Sequence, residues 1–299
     1  MKNIRLAEIE DIPRLNEIWA LCFGDGEKFR NFYFRERFQP KQTLVYLIDD
    51  LIVAMLTMIP VNLWQEEESL PLSMFYAIAT HPEYQQRGIA TKLMDYATDY
   101  QKSRGTRGIV IVPASGDLFP FYLRQGYEEF FAIREKVWEK EKEQGEATPG
   151  FSQSIPGCKI EPITPKEYNE IRNKYVQENF LVYRDEEVAY QKSISRFSGV
   201  DIYSLNIQEV TGCAAVERLN EDTFLFKELL LPPELVDIGI KGIGEILRGR
   251  KFLIRTPIIA SEKWDESCRP FGVLKWLTEG KDKERNIGKS YGYLGLAFD

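Results

Sequence analysis

A short polar turn, Gln85-Gln86-Arg87-Gly88, comes directly before an amphipathic helical pattern, and its residue types suit a phosphate group. The N-terminus of a helix leaves about four backbone N–H groups without intrahelical acceptors and carries a partial positive charge. A glycine in the turn lets the backbone approach a ligand closely, and Arg87 adds a full charge. On these residues alone, two interpretations are open: a plain helix start or a pyrophosphate site.

The elements that position this turn are a strand before it and a helix after it. The segment S-M-F-Y-A-I-A-T, residues 73–80, predicts the strand, and apolar spacing predicts a helix from about Ile89 to Arg104 that stops at Gly105. A hairpin around Asp49 and Asp50 precedes them, and the short apolar run G-I-V-I-V-P follows. This mixture predicts an α+β (α/β) fold with a mixed sheet.

The 299 residues divide into halves around a charged and Gly/Pro/Ser-rich segment, which predicts domains at 1–140 and 158–299 with a linker at 141–157. A weak internal repeat supports this division. A helix with apolar residues at i, i+3 and i+7 opens each half, and in the second half Thr164 and Glu167 form a capping-box pattern around Pro165. The repeated positions are Ile12, Leu15 and Trp19 in one half and Tyr168, Ile171 and Tyr175 in the other.

Composition excludes several classes of function. The net charge of −7 argues against general nucleic-acid binding, and no apolar run reaches the ~18 residues of a membrane span. The start of the sequence has no signal-peptide core, so we expect a cytoplasmic protein. The single histidine, His81, is expected in a turn, and the scattered cysteines predict reduced thiols rather than a metal site: Cys22, Cys158, Cys213 and Cys268.

Two motifs in order carry a resemblance to a known family. The turn reads Q-x-x-G-x-A, with Gln85, Gly88 and Ala90 at the fixed positions, and Y-x-x-x-G-Y follows from Tyr122 to Tyr127. Residues 3 to 138 thereby resemble the GCN5-related N-acetyltransferase (GNAT) superfamily, whose acyl-CoA signature is R/Q-x-x-G-x-G/A. The segment V-P-A-S-G-D-L-F-P-F-Y-L-R-Q-G-Y is also similar to the enhanced-intracellular-survival branch, in which GNAT-like domains occur in tandem.

The resemblance implies two GNAT-like domains, each a mixed, largely antiparallel sheet flanked by helices, and acetyl-CoA as co-substrate. It implies that Tyr122 is the general acid, although packing between Phe121 and Leu123 is an alternative role. The implied acyl-CoA-binding residues are Ala77, Ile78, Ala79, Thr80, Gln85, Gln86, Arg87, Gly88, Ile89, Ala90, Thr91, Ser115 and Gly116. Charge alone adds Lys92, Arg104 and Arg107 as candidates for the adenosine 3′-phosphate.

The general base is left open, because the strand at 73–80 has no carboxylate. A water relay, another carboxylate, or the C-terminal Asp299 could serve, and the apolar end G-Y-L-G-L-A-F-D could be tucked in or frayed. Trp264, Phe271 and Trp276 could line an acceptor pocket or lie in the core. The acidic balance, including the run 66–68 placed near the site, favours a cationic amine acceptor.

In the second half, Gly242 and Gly244 form a G-x-G without the upstream Gln or Arg, and Asp237 would repel phosphate. We therefore expect this half to have lost cofactor binding. The predicted function is acetyl-CoA-dependent N-acetylation of a small-molecule or peptide amine, without nucleic-acid or membrane partners. The alternatives are a non-catalytic acyl-CoA-binding sensor or scaffold and a tandem aminoacyl transferase that uses charged tRNA.

Overall fold

The computed structural model describes residues 3–140, 157–258, 264–278 and 291–297. The elements of the first half are β1 (Ile4–Leu6), α1 (Ile12–Phe23), α2 (Glu27–Glu36), β2 (Thr43–Ile48), β3 (Leu51–Gln65), β4 (Glu68–Thr80), α3 (Ile89–Ser103), β5 (Gly108–Ile111), α4 (Phe119–Leu123) and β6 (Glu128–Glu139).

The second half repeats much of this order. Its elements are β7 (Cys158–Pro162), α5 (Pro165–Arg172), β8 (Phe180–Val182), α6 (Asp185–Phe197), β9 (Ile202–Ile207), β10 (Val210–Arg218), β11 (Thr223–Leu230), α7 (Val236–Leu247), β12 (Lys251–Thr256) and β13 (Cys268–Trp276).

Local sequence signals account for several element boundaries. Asp49 and Asp50 take φ values of 47° and 62°, which suits a two-residue hairpin turn whose twist matches the strands. Thr164 and Glu167 form the capping box at the start of α5. Gly105 follows α3 with a φ of 83°, a left-handed conformation that ends helices and that glycine adopts without strain.

The predicted repeat is present in the pairing of the strands. Within the described residues, one 13-stranded sheet has the order β1-β2-β3-β4-β5-β13-β6-β12-β11-β10-β9-β7, with β8 paired to β3. In each half the strands run antiparallel until a helix crosses over to a parallel pair: α3 connects β4 to β5, and α7 connects β11 to β12. The α+β fold with a mixed, largely antiparallel sheet is thus confirmed.

The last strand of each half pairs across the middle of the sheet. β13 lies between β5 and β6, with Val273 opposite Ile111 and Arg269 opposite Ile133. The outer part of β6 pairs in turn with β12, from Thr256 at Arg134 to Lys251 at Glu139. The first half therefore contains a strand from near the end of the chain. The predicted linker at 141–157 lies outside the described residues except for Gly157, and the domain division there stays a prediction.

The apolar segment near the C-terminus is tucked into the protein. Gly292 pairs with Phe131 and Tyr293 with Phe180, so this segment touches strands of both halves. Its buried side chains belong to Tyr293, Leu294, Leu296 and Ala297.

Two further observations concern the described part of the chain. No helix there combines the length and the apolar character that a membrane crossing needs. No group of three or more His, Cys, Asp or Glu side chains there is arranged to hold a metal ion.

Candidate functional site

The sheet opens where β4 extends beyond the end of its parallel neighbour, β5. β4 pairs with β5 from Leu72 opposite Gly108 to Phe75 opposite Ile111, where β5 ends, and β4 continues to Thr80. A bulge follows immediately: Ala77 has a φ of 50°, and the register with β3 shifts. Because bulges re-aim the backbone, this end of β4 diverges from the loop after β5.

A cavity of about 860 Å³ lies at this opening. Its walls come from the α1–α2 region, the β4 bulge, the loop between β5 and α4, and the strands β6, β12 and β13. The lining residues used below are Trp19, Phe23, Asp25, Phe29, Ala77, Ile78, Ser115, Gly116, Tyr122, Glu129, Arg255, Arg269 and Phe271. The cavity therefore draws on both halves of the chain.

The turn before α3 has the backbone conformation of an anion site. Gln86 and Gly88 have φ values of 60° and 71°, and a Cβ at Gly88 would meet no atom within 4 Å. The first hydrogen bond of the helix runs from the Lys92 N–H to the Gly88 carbonyl at 3.0 Å. The N–H groups before Lys92 in this first turn therefore have no intrahelical acceptor.

The side chains of the turn brace its backbone. The Gln85 Nε2 donates to the Thr80 carbonyl at 3.0 Å, and the Arg87 Nη2 donates to the Glu83 carbonyl at 2.8 Å. The Arg87 guanidinium also lies 5.1 Å from the Tyr84 ring centroid. The sequence indicated Arg87 as a charge for the ligand, whereas here Gln85 ties the turn to the end of β4 and Arg87 bonds to the segment between β4 and the turn.

Tyr122 packs against neighbouring rings and also lines the cavity, and its role as general acid stays a prediction. Its ring packs against Phe121 and Tyr127, with centroids at 5.2 Å and 5.9 Å, and it also lines the cavity. Burial raises the pKa of Tyr122 to about 12. The hydroxyl therefore stays protonated at neutral pH and is available as a proton donor.

The three basic residues proposed for the adenosine 3′-phosphate do not lie together. Lys92 is exposed in the first turn of α3, whereas Arg104 follows the other end of the helix, about 18 Å away along its axis. The Arg104 guanidinium lies 5.5 Å from the Tyr100 ring centroid. Arg107 follows Arg104 and is tied to the β4 side by a hydrogen bond from its N–H to the Pro71 carbonyl.

The acidic run at 66–68 is not near the cavity, which corrects the expectation from the sequence. It forms the tip of the β3–β4 hairpin, with Glu66 and Glu67 at φ values of 50° and 62°. Met74, the cavity-lining residue of β4 nearest to this tip, is six residues along the strand from Glu68, or about 20 Å.

The three aromatic residues proposed for an acceptor pocket separate in the structure. Phe271 lines the cavity, but Trp264 is exposed and packs against Tyr291, and Trp276 packs edge-on against Phe130. Asp299 lies outside the described residues, so its role as a base stays a prediction.

Sequence reasoning missed the charged groups of the cavity. Asp25 follows α1, and its Oδ2 accepts a 2.7 Å hydrogen bond from the Trp19 indole. Glu129 lies two residues after the end of the Y-x-x-x-G-Y element. This proximity is the one local signal that could have identified it. Arg255 and Arg269 reach the cavity only through the exchange of β13 and β6.

The second half lacks the equivalent turn. α7 begins after Leu235, whose φ is −102°, and Gly242 and Gly244 lie in the helix interior. A Cβ on Gly244 would lie 3.4 Å from the Phe252 ring, so this glycine serves helix packing. At the matching place on β11, the side chains of Lys227 and Glu228 are buried in ion pairs.

The chain was compared with known families and structures. Residues 3–130 match the family model described as "Acetyltransferase (GNAT) domain". No curated protein is significantly similar to the chain in sequence.

Several solved structures share the fold over most of the chain. A GCN5-related N-acetyltransferase from Anabaena variabilis ATCC 29413 has a TM-score of 0.67 at 14% identity, covering 91% of this chain and 71% of that one. Eis1 from Mycobacterium abscessus has a TM-score of 0.63 at 12% identity, with 92% and 73% covered. A putative acetyltransferase from Pyrococcus horikoshii has a TM-score of 0.59 at 16% identity, with 98% and 94% covered.

The family match covers the part of the site that the first half contributes. The turn before α3, the bulge in β4 and Tyr122 all lie within the matched residues. The second half repeats the strand and helix order of the first, which is the arrangement of a tandem protein. Residues 3–130 of this chain thus form a domain of the GNAT acetyltransferase family.

Proposed function

We propose that the protein is an acetyl-CoA-dependent N-acetyltransferase that transfers the acetyl group to a primary amine by direct attack. A GNAT domain supports acyl transfer in general. The observation that carries the finer proposal is the left-handed Gly88 turn, with free space at its missing Cβ, beside the splayed end of β4. Together they offer a phosphate cradle next to a groove for an extended thioester arm.

The residues present fit the co-substrate. The backbone N–H groups from Gln86 to Thr91 would hold the pyrophosphate, and the end of β4 from Ala77 to Thr80 would run beside the pantetheine arm. Ser115 and Gly116 line the cavity on the side of α4 and would form the far wall of that groove. When bound, acetyl-CoA supplies an activated acetyl group with a thiolate leaving group.

The side chains of the cavity then handle the protons. Glu129 or Asp25 would take the proton that the amine loses as its nitrogen bonds to the acetyl carbon and the C–S bond breaks. Tyr122 would donate its proton to the departing thiolate and regain one from solvent. A backbone N–H at the Ala77 bulge would donate to the developing oxyanion. Asp299, which follows the apolar segment G-Y-L-G-L-A-F, remains an alternative base.

The test is calorimetric titration with acetyl-CoA of the wild type and of Gly88→Glu. The glutamate would occupy the space of the pyrophosphate and repel it, so we expect at least a hundredfold weaker binding, with one molecule bound per wild-type chain. Gly105→Glu is the matched control, because Gly105 is also left-handed with open space around it, at the other end of α3. It should lose similar stability and keep its affinity.

A screen of amines for CoA release follows the titration. Release with any amine distinguishes the enzyme from a non-catalytic acyl-CoA sensor. A wild type that does not bind acetyl-CoA, or a Gly88→Glu variant that binds it normally, would overturn the proposal.

A further inference from the structure

Two arginines form one compact unit at the end of the cavity built by β12 and β13. The Arg255 and Arg269 guanidinium groups lie 5.0 Å and 5.2 Å from the Phe271 ring centroid. The Arg255 Nε and the Arg269 Nη2 each donate to Glu135 Oε2 on β6 at 2.9 Å. Both arginines and Phe271 line the cavity, whereas Glu135 does not.

The two arginines differ in their exposure. The Arg255 side chain is 12% exposed and is fixed in place, whereas the Arg269 side chain is 41% exposed. Burial opposes ionisation of Glu135, but its hydrogen bonds from Arg269 and Arg255 lower its pKa overall. With Glu135 ionised, Arg255, Arg269 and Glu135 together carry one net positive charge. Arg269 has the most exposed side chain of the three.

The negative groups of the cavity occupy a different place. Glu129 pairs with Val273, while Arg269 pairs with Ile133, which is four residues further along β6. These backbone positions are therefore about 13 Å apart. Asp25 reaches the cavity from the α1–α2 connection. Carboxylates and guanidinium groups thus face one cavity from separate positions.

Aromatic side chains line the same cavity as these charged groups. Trp19, Phe23, Phe29 and Phe271 all line the cavity. Such a lining accepts an apolar body between two charged ends, because aromatic faces contribute contact area without requiring polar partners.

We propose that the acceptor is an amine that also carries a carboxylate, namely an amino acid or a short peptide, and that Arg269 recognises this carboxylate. The inference rests on the proposed N-acetyl transfer. A guanidinium matches a carboxylate with two parallel hydrogen bonds, and Glu135 and Phe271 hold Arg269 in place for it. Asp25 and Glu129 receive the ammonium end. The acidic composition favoured a purely cationic acceptor, whereas the cavity matches a zwitterion.

The experiment compares matched pairs of acceptors. L-Phenylalanine, L-Phe-L-Ala and L-Phe-L-Ala-L-Ala are each tested as the free acid and as the C-terminal amide, which samples different distances between amine and carboxylate. The enzymes are wild type, Arg269→Gln and the control Arg35→Gln, whose arginine is 70% exposed on α2. The readouts are kcat/KM for each acceptor, the Kd of acetyl-CoA and the Tm.

We expect the wild type to prefer the acid over its amide by roughly tenfold to a hundredfold for at least one length. Arg269→Gln should bring this ratio close to one by slowing the acid alone, with the Kd of acetyl-CoA unchanged. A wild type without preference for any acid would overturn the inference. An Arg269→Gln variant that slows acids and amides equally would also overturn it, because that is the mark of a structural role.

A binding measurement separates this inference from the proposed reaction. If acetyl-CoA binds but no acceptor is turned over, the acids and amides are titrated against the CoA-saturated enzyme. Tighter binding of an acid that Arg269→Gln abolishes supports carboxylate recognition even though N-acetyl transfer fails. Equal or absent binding of acids and amides overturns it.

Discussion

The two halves of the sheet differ most at one matching position, two residues beyond the last parallel pair. In the first half this position is Ala77, after Phe75 opposite Ile111. In the second half it is Glu228, after Phe226 opposite Ile254. Ala77 lines the open cavity, whereas Glu228 is fully buried and accepts hydrogen bonds from Tyr168 at 2.8 Å and Arg172 at 3.0 Å.

The same topology thus supports a groove in one half and an ionic core in the other. The segment 291–297 completes that core: a Cβ on Gly295 would collide with Glu228 Oε1, so the backbone of this segment packs directly on the ion pair. Burial lowers the pKa of Arg172 and the Glu228 charge raises it, with a net upward shift that keeps the guanidinium charged. The second half therefore has a buried ionic core where the first half has the groove, and it also contributes Arg255, Arg269 and Phe271 to the cavity.

The largest expected effect tests whether the halves are independent. A chain that ends at residue 257 loses β13 and leaves the edges of β5 and β6 unpaired in the middle of the sheet. We expect it neither to unfold cooperatively in urea nor to bind acetyl-CoA. The control is the full chain cut by a protease at a site inserted in 141–157, which keeps every strand and should stay folded. A truncated chain that folds and binds would contradict this dependence.

The next effect concerns the ionic core of the second half. Glu228→Gln leaves the Arg172 charge buried without its partner, which we expect to lower the free energy of unfolding by about 3–5 kcal/mol. Urea denaturation measures this change, and hydrogen exchange should report faster opening around residues 293–297. Glu36→Gln is the control, because its partner Arg35 is largely exposed, and it should cost less than about 0.5 kcal/mol. Equal losses in the two variants would refute a stabilising role for the buried ion pair.

The smallest of the three effects is on the chemistry of the open groove. Tyr122→Phe should lower kcat about a hundredfold, because the proton donor is lost, and leave acetyl-CoA affinity unchanged. The pKa of about 12 implies that the wild-type kcat shows no fall due to Tyr122 below about pH 11.

The same hydroxyl affects stability at high pH. Since its pKa is raised above 10.0, Tyr122 contributes stability that is present below pH 10 and is lost as the pH rises toward 12. Tyr122→Phe should therefore lose less stability over this range. An unchanged kcat in this variant would remove Tyr122 from the reaction.

Much of the architecture could be predicted because its signals are local. The Asp49-Asp50 turn, the capping box at Thr164 and the left-handed Gly105 each depend on neighbours within a few residues. The repeat could be recognised for the same reason. The placement of the acidic run at 66–68 was wrong because it depended on the length of the β3–β4 hairpin, which puts the run at the far tip.

The sequence by itself determined the Gly88 turn, the helix that follows it and the position of Tyr122 after a buried strand, because short-range spacing and backbone conformation encode them. Only the tertiary structure decided which charges face the cavity. Arg255 and Arg269 lie more than a hundred residues from Tyr122 in the chain and reach the site because β13 inserts between β5 and β6. Strand exchange depends on pairing across the whole sheet, and no local pattern of side chains specifies it.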